Sequence, residues 1–265
     1  MSKNNSFDNG IVILGSGNVA THLAKALFNS GFNIKTIYSR TLESAKELAL
    51  NVKSDFTNNL LQVPADADLY ILALKDEVLE SVIQNLKIEH GIVVHTAGSI
   101  SINVFKNSFE NFGVFYPLQT FSKDRKIDFS NIPVCLESNN KQTENKLSVL
   151  ANSLTKRVEF IDSEKRKIIH LAAVFASNFS NHMYSIAWKL INEQQLDFDI
   201  LKPLINETSN KAIENNPVLS QTGPAIRNDR NVIEKHIQML ADYPEYEKIY
   251  RFVSESIYKM KPPCK

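Results

Sequence analysis

The stretch Gly10-Ile11-Val12-Ile13-Leu14-Gly15-Ser16-Gly17-Asn18-Val19-Ala20 decides the fold class of this chain. Residues 11–14 are apolar on both faces, which is typical of a buried strand in a parallel sheet. The pattern G-x-G-x-x-A follows this strand and opens a helix, predicted from Asn18 to Ser30. In that context Gly15 permits a tight turn, and Gly17 lets the backbone approach a pyrophosphate, for which the helix start supplies free N–H groups. We therefore predict a dinucleotide at Gly15, Ser16, Gly17, Asn18 and Val19; the alternative is a glycine turn that binds nothing.

Short apolar runs alternate with helix-like segments as far as residue 161. The runs predict strands at 11–14, 34–38, near Val52, and at 69–74, 92–95, 113–116, 132–136 and 158–161. Helices are predicted between them at 18–30, 41–50, 77–86 and 141–154, so the pattern indicates βαβ units and a doubly wound α/β sheet of the Rossmann type. Only helices are predicted afterwards, at 163–195, 198–215, 228–242 and 244–260. We expect two domains, a nucleotide-binding domain at 1–161 and an all-α domain at 162–265, with residues 1–9 as a mobile tail.

Composition excludes several classes of protein. The chain has 30 Lys and Arg against 29 Asp and Glu, a net charge of +1, whereas nucleic-acid binding through phosphate contacts requires a basic excess or stripe. The apolar runs are too short to span a bilayer, and the polar N-terminus does not resemble a signal segment. The two cysteines, Cys135 and Cys264, give neither a disulfide framework nor a zinc spacing. We expect a cytoplasmic protein without nucleic-acid, membrane or metal partners.

The end of the second predicted strand indicates which dinucleotide is bound. An NAD site usually has Asp or Glu there for the ribose 2′-hydroxyl, but this chain has Ser39, Arg40 and Thr41. Guanidinium and hydroxyl groups suit a 2′-phosphate, so we predict NADP as the cofactor. The alternative is that Arg40 is an ordinary solvated residue. Leu74 and Lys75, which follow the fourth strand, complete the predicted cofactor site.

Three further segments carry a family resemblance: Gly113-Val114-Phe115-Tyr116-Pro117-Leu118-Gln119-Thr120-Phe121, residues 172–179 and residues 222–229. With the glycine turn they resemble a bacterial family of NADP oxidoreductases. Its N-terminal half is similar to pyrroline-5-carboxylate reductase and the F420-dependent NADP oxidoreductases. Its helical half is a domain of unknown function that looks like the dimerising domain of the 6-phosphogluconate dehydrogenase superfamily. The family commonly has histidine where this chain has Tyr116, and Gly where it has Asn228. The resemblance implies a fold and a cofactor but no substrate.

Candidates for the chemistry follow the strands, where sites of open α/β sheets lie. His95 is the only histidine at a predicted strand end, and its imidazole suits proton transfer near neutral pH, although it could equally be structural. Ser99 could bind a substrate carbonyl or carboxylate, or cap a helix, with Ser101 as the alternative cap. Gln119 could bind substrate or nicotinamide, or be a turn residue.

The predicted helical domain supplies further candidates. His170, Ser177 and Asn181 share one stripe of the long helix, and Asn178 and His182 a neighbouring one, among apolar residues. Such groups need partners, either a ligand or the helix's own carbonyls, and we favour Ser177 and Asn178 because they match the family segment. Arg227 follows a Gly-Pro turn and could hold a carboxylate, or pair with Asp229 or Glu234 at the surface.

These residues predict an NADP-dependent oxidoreductase that acts on a small polar substrate, most simply one with a carboxylate, at a site between the two domains. An NADP-binding regulator without turnover is the alternative from another class. A deazaflavin-linked reductase is a third reading, which rests on the resemblance alone. Because the helix from Ser163 to Gln195 is apolar over much of its circumference, we also expect a homodimer built on the C-terminal helices.

Overall fold

The computed structural model describes residues 7–262 of the chain. These residues form two compact units, an N-terminal unit that ends at Asn178 and a C-terminal unit that begins at Phe179. The former contains the sheet, and the latter is helical.

The N-terminal unit is built on one sheet. Its strands in the described residues are β1 (Ile11–Leu14), β2 (Ile34–Tyr38), β3 (Asp55–Thr57), β4 (Leu69–Leu72), β5 (Ile92–His95), β6 (Asn111–Pro117), β7 (Val134–Ser138) and β8 (Val158–Phe160). They lie in the order β3-β2-β1-β4-β5-β6-β7-β8, and all neighbours are parallel except β6 and β7. The predicted doubly wound sheet is confirmed. Its order reverses between β1 and β4, which places a ligand crevice at the carboxyl ends of these two strands.

Helices cover both faces of this sheet. They are α1 (Asn18–Asn29), α2 (Leu42–Val52), α3 (Asp76–Asn85), α4 (Lys141–Leu154) and α5 (Ser163–Ala173). The side chains of β1 alternate between the faces, as the period of a strand requires. Ile11 and Ile13 join a core with α1, α2 and α4, whereas Val12 and Leu14 join a second core with α3. This double burial explains why the strand is an unbroken apolar run.

Two local expectations are corrected. Val52 is not in a strand but ends α2; Lys53 follows it in the left-handed conformation (φ 52°), and the strand begins at Asp55. Residues 7–9 do not form a mobile tail, since Phe7 is buried and packs edge-on against Phe32 with ring centroids 6.1 Å apart. Residues 1–6 and Cys264 lie outside the described residues.

The boundary between the two units lies between Asn178 and Phe179. This is later in the sequence than the predicted boundary between residues 161 and 162. The last strand does end at Phe160, but α5 belongs to the N-terminal unit because its first turns are buried on the sheet. Ser163 and Arg166 are the buried residues of this helix. The switch from strands to helices, which the sequence predicts, therefore comes before the boundary between the two compact units.

The predicted helix from Ser163 to Gln195 has three parts. A π-helical segment, Val174–Phe179, separates α5 from α6 (Ser180–Glu193). The C-terminal unit continues with α7 (Lys202–Glu214), α8 (Pro224–Arg227), α9 (Arg230–Met239) and α10 (Pro244–Lys259). Within residues 7–262, no helix has the length and hydropathy that crossing a membrane requires.

Candidate active site

The turn after β1 has the shape that a dinucleotide phosphate needs. Gly15 has φ +125°, and a Cβ atom there would overlap the carbonyl oxygen of Ala73, because the turns after β1 and β4 approach closely. The Gly15 N–H donates to the carbonyl of Tyr38 on β2 at 2.7 Å. Gly15 is therefore required by the protein's own packing.

Gly17 is glycine for a different reason. Its backbone is extended (φ −74°, ψ −172°), and a Cβ atom there would meet no atom of the described residues within 4 Å. Gly17 precedes α1 without a side-chain cap, and the first turn of α1 contains no acidic residue. The open space therefore faces free N–H groups and the positive end of the helix dipole, an arrangement that fits a pyrophosphate.

The end of β2 is joined to this turn. The Ser39 hydroxyl is buried and lies 2.7 Å from the hydroxyl of Ser16, while Arg40 and Thr41 are exposed. The Thr41 hydroxyl donates a hydrogen bond to the Ser44 hydroxyl at 2.8 Å. It therefore accepts none from the backbone N–H groups at the start of α2. We call the turn between β1 and α1, residues 15–17, the phosphate turn. An exposed guanidinium beside two hydroxyls at its edge fits a 2′-phosphate.

The turn after β4 lines the other side of the crevice. Leu74 is half-buried, and its Cδ2 atom lies 3.6 Å from where a Cβ of Gly15 would stand. Lys75 is exposed and precedes α3. Leu74 thus lies beside the turn after β1, and Lys75 is the next residue of the chain.

A cavity of about 660 Å³ lies at the start of α1 within the N-terminal unit. Its walls are formed by α1, the loop after β6, α5 and the π-helical segment. It brings together the predicted residues Asn18, Val19, Gln119, Ser177 and Asn178. Ser177 and Asn178 lie in the π-helical segment, a distortion that is frequent at functional sites. Asp, Glu, Lys and Arg are absent from the described lining residues, so its polar groups are nearly all neutral.

Two more lining residues, Tyr116 and His170, form a pair. The Tyr116 hydroxyl lies 3.1 Å from Nδ1 of His170, and the two rings meet edge-on with centroids 6.1 Å apart. Tyr116 is buried on β6, and this burial raises the pKa of its phenol above the usual value. Gly98 makes room for the imidazole, because a Cβ atom there would stand 2.6 Å from His170 Nδ1.

The loop after β6 is held against α1 by two side chains. Asn18 donates its amide hydrogen to the carbonyl of Phe121 at 2.8 Å. His22 stacks on the ring of Phe121, and its Nε2 lies 2.9 Å from the carbonyl of Ser122. The Asn18 side chain is therefore committed to the loop, and only its backbone N–H remains for a cofactor phosphate. His22 is not among the residues predicted from the sequence, although its spacing of four from Asn18 places both on one helix face.

The structure argues against His95 as a proton carrier. Its side chain is fully buried, it packs on Phe105, and its Nδ1 accepts the Ala97 N–H at 3.2 Å. Burial, and secondarily the charge of Arg166, lowers the pKa of His95 to about 3, so the imidazole is neutral near pH 7. It is absent from the described lining of the cavity. The interpretation as a structural histidine is the better one.

Ser99 and Arg227 are not among the cavity's described lining residues either. The Ser99 hydroxyl donates to the carboxylate of Asp76, and it is Ser101 that caps the short helix at Ile102–Phe105. Arg227 ends α8 in the C-terminal unit, where it is exposed and forms no ion pair with a described residue. The proposed pairing of Arg227 with Asp229 is not seen, since Asp229 caps α9 instead. In residues 7–262 there is no cluster of three His, Cys, Asp or Glu side chains that could hold a metal ion.

Comparison with known proteins gives similarity over both units. Residues 10–98 match the family model described as NADP oxidoreductase, coenzyme F420-dependent, and residues 132–257 match a domain of unknown function. A crystal structure from Bacteroides fragilis, of a protein provisionally named an NADP oxidoreductase, is 48% identical, with a TM-score of 0.89. The match covers 94% of this chain and 97% of that one.

More distant structures share the fold alone. Pyrroline-5-carboxylate reductase from Streptococcus pyogenes is 15% identical over 94% of this chain and 98% of its own, with a TM-score of 0.60. Imine reductase from Myxococcus stipitatus, in complex with NADP⁺, is 12% identical over 94% and 92%, with a TM-score of 0.63. Glutamyl-tRNA reductase from Saccharolobus islandicus is 34% identical over 76 residues, which are 29% of this chain but only 18% of that enzyme.

Proposed function

Because the chain belongs to the family of NADP oxidoreductases that includes the Bacteroides fragilis protein, we propose that it transfers hydride between NADP and a small carbonyl or imine substrate. The observation that carries this proposal is the cavity at the start of α1. Its lining combines Gln119, Ser177 and Asn178 with Asn18 and Val19 from the start of α1, which supports the proposal. Ligand sites of this fold form at the same switch point of the sheet.

Different residues of the chain bind different parts of the cofactor. The space at Gly17 and the first N–H groups of α1 receive the pyrophosphate. Ser39, Arg40 and Thr41 receive the 2′-phosphate, and Leu74 and Lys75 flank the crevice. NADPH, when bound, would supply the hydride, so the residues of the chain have to orient the substrate and manage one proton. Gln119, Ser177 and Asn178 orient the substrate as neutral hydrogen-bonding groups.

The charge of the substrate is a separate part of the proposal. The described cavity lining offers no Lys or Arg for a carboxylate. A carboxylate-bearing substrate therefore needs a cation from outside this lining, and Arg227, which is exposed and has no ion pair among the described residues, stays the residue predicted for this role. Replacing Arg227 by alanine is then expected to raise KM for carboxylate substrates while the Kd for NADPH stays unchanged. Equal KM values in the two proteins would remove Arg227 from the site.

The C-terminal helices support a homodimer. None of the described residues of α6, α7 and α10 is buried, and large apolar side chains stand exposed on all three, among them Trp188 (51%), Leu204 (62%) and Phe252 (74%). Exposed apolar surface of this extent marks an interface, and two-fold pairing of identical chains is the commonest one. Light scattering is expected to give about twice the chain mass of 30.0 kDa. The cytoplasmic location inferred from the unpaired cysteines stays a prediction.

The test of the function is NADPH oxidation against a panel of 2-oxo acids, aldehydes and cyclic imines, followed at the absorbance of the reduced nicotinamide. Saturable turnover of at least one compound is the expected result. Tight binding of NADPH without turnover of any compound of the panel would favour an NADP-binding sensor. This alternative stays open because His95, a candidate for proton transfer, is buried.

A further inference from the structure

The described lining of the cavity contains one histidine, His170. Among its described lining residues, Asn18, Gln119, Thr120, Ser177 and Asn178 neither gain nor lose a proton around pH 7. His170 contacts the hydroxyl of Tyr116, and imidazole is the side chain that enzymes use most often for proton transfer. The remaining histidines near the site have other partners: His95 is enclosed, and His22 binds the carbonyl of Ser122.

We propose that Tyr116 and His170 are the proton-transfer pair of this site, with the Tyr116 hydroxyl facing the substrate and His170 Nδ1 behind it. This inference rests on the proposed function. In the reducing direction the substrate carbon would gain a hydride, with bound NADPH as the donor that is oxidised to NADP⁺, and the π bond of C=O or C=N would break. The substrate oxygen or nitrogen then takes the proton of the Tyr116 hydroxyl. The Tyr116 phenolate left behind takes a proton from Nδ1 of the His170 imidazolium, and the resulting neutral imidazole is protonated again by solvent.

The geometry holds the pair in register. Tyr116 lies on β6 and His170 on α5, so two regular elements fix the 3.1 Å separation. Gly98, after β5, is closed to any side chain because its Cβ position falls 2.6 Å from Nδ1 and 2.9 Å from Cβ of His170. The phenol is protonated at neutral pH even with its ordinary pKa, and burial raises the pKa of Tyr116 further. It is therefore a proton donor rather than a phenolate.

The charged and titratable neighbours of the pair lie behind it. On α5, Arg166 is one turn before His170, and its guanidinium is neutralised by Glu137 of β7. Cys135 of β7 and Arg166 act on Tyr116 with opposite signs. From α1 and the loop after β6, the described residues that line the cavity are uncharged, and Gly98 adds no side chain.

The first experiment follows the imidazole itself and needs no substrate. NMR of the full chain with ¹³Cε1-labelled histidine, recorded from pH 5 to 8, is expected to show His170 titrating within that range, with its signal assigned by His170→Gln. In Tyr116→Phe the pKa of His170 is expected to change, because its hydrogen-bond partner is lost. A His170 that keeps one protonation state across this range would overturn the proposal.

The second experiment uses the compound from the panel that is reduced fastest. Both His170→Gln and Tyr116→Phe are expected to lower kcat by about 10²-fold or more and to leave the Kd for NADPH within about twofold. In the wild type, kcat for reduction is expected to fall as pH rises through the pKa of His170, and this limb is expected to vanish in His170→Gln.

A matched control exists in the C-terminal unit. His236 Nδ1 lies 2.8 Å from the hydroxyl of Tyr250, and their rings also meet edge-on. His236→Gln is expected to keep kcat and the pH limb. Full activity of His170→Gln or Tyr116→Phe would overturn the proposal. If the wild type reduced no compound, the proposed function would fail, while the NMR titration would still decide whether His170 can carry a proton.

Discussion

The buried guanidinium of Arg166 on α5 donates a hydrogen bond to the carboxylate of Glu137 on β7. Arg166 also donates to the carbonyl of Ile100 and, at 3.1 Å, to the hydroxyl of Ser163. It therefore fastens the first turns of α5 to the sheet, one turn before His170. The same charge helps to keep His95 neutral.

Breaking this ion pair is expected to destabilise the protein strongly. Arg166→Met leaves the Glu137 carboxylate without its cation, and the free energy of unfolding is expected to fall by about 3–5 kcal/mol, measured by urea denaturation. The double variant Arg166→Met/Glu137→Met is expected to recover a large part of this loss, because no uncompensated charge remains. The exposed pair Arg157–Glu159 is the control, and Arg157→Met is expected to cost less than about 1 kcal/mol. If Arg166→Met lowered the free energy of unfolding no more than Arg157→Met does, Arg166 would not anchor α5.

A methyl group at Gly98 is expected to displace His170. Because the added Cβ would stand 2.6 Å from Nδ1 and 2.7 Å from Cγ of the imidazole, Gly98→Ala is expected to lower both stability and turnover without changing NADPH affinity. The cost in unfolding free energy is expected to be about 1–3 kcal/mol, as for other overpacked sites. In a His170→Ala background most of this cost is expected to disappear, since the colliding ring is gone. Additive losses in the double variant would place the strain elsewhere.

The two glycines of the phosphate turn are expected to fail in different ways. Gly17→Val is expected to fold with unchanged stability and to lose NADPH binding, because its side chain enters open space that the pyrophosphate occupies. Gly15→Ala is expected to lower the melting temperature instead, because its Cβ overlaps the Ala73 carbonyl at a φ of +125°. Thermal unfolding and fluorescence titration with NADPH separate the two effects. A Gly17→Val protein that binds NADPH normally would disprove the phosphate site.

The sequence predicted the sheet well because its strands are buried on both faces and therefore appear as unbroken apolar runs, as in Ile11–Leu14. It predicted the glycine turn between β1 and α1 because glycine spacing is a local property of the chain. The cavity was harder to predict. Gln119, Ser177 and Asn178 were selected partly by family likeness, whereas the partnership of Tyr116 with His170 joins residues 54 positions apart. Such a contact depends on how α5 packs on the sheet, which no local pattern reports.

The sequence left the choice between a catalytic and a structural His95 open for the same reason. A histidine at a strand end faces the crevice or the core according to strand register, and here the side chain enters the core with Phe105. Arg166 was overlooked because buried arginines are rare, and a charged residue in the first turns of a helix normally indicates a solvated face.

Acid sensitivity is expected to report the burial of His95. Its pKa is about 3 in the folded protein, against 6.5 in an unfolded chain, so the unfolded state binds more protons between these values. The contribution of a neutral, buried His95 to the free energy of unfolding is therefore complete above pH 6.5. It is lost as the pH falls toward 3, by up to about 1.4 kcal/mol per pH unit. His95→Asn is expected to flatten the loss between pH 6 and about 4, whereas the exposed His90→Asn is expected to leave it unchanged. Identical pH dependence in wild type and His95→Asn would show that His95 is accessible to protons in the folded state.

The choice of cofactor is expected to depend on Arg40. NADPH is expected to bind at least about tenfold more tightly than NADH, a difference of about 1.4 kcal/mol, because an exposed guanidinium beside Ser39 and Thr41 is paired with the 2′-phosphate only in NADPH. Arg40→Ala is expected to remove most of this preference by weakening NADPH and leaving NADH unchanged. Lys46→Ala, on the exposed face of α2, controls for a general loss of positive charge and is expected to change neither affinity. Calorimetric titration of both cofactors into the three proteins measures these values. Equal affinities in the wild type, or an equal loss for both cofactors in Arg40→Ala, would show that this end of β2 does not read the 2′-phosphate.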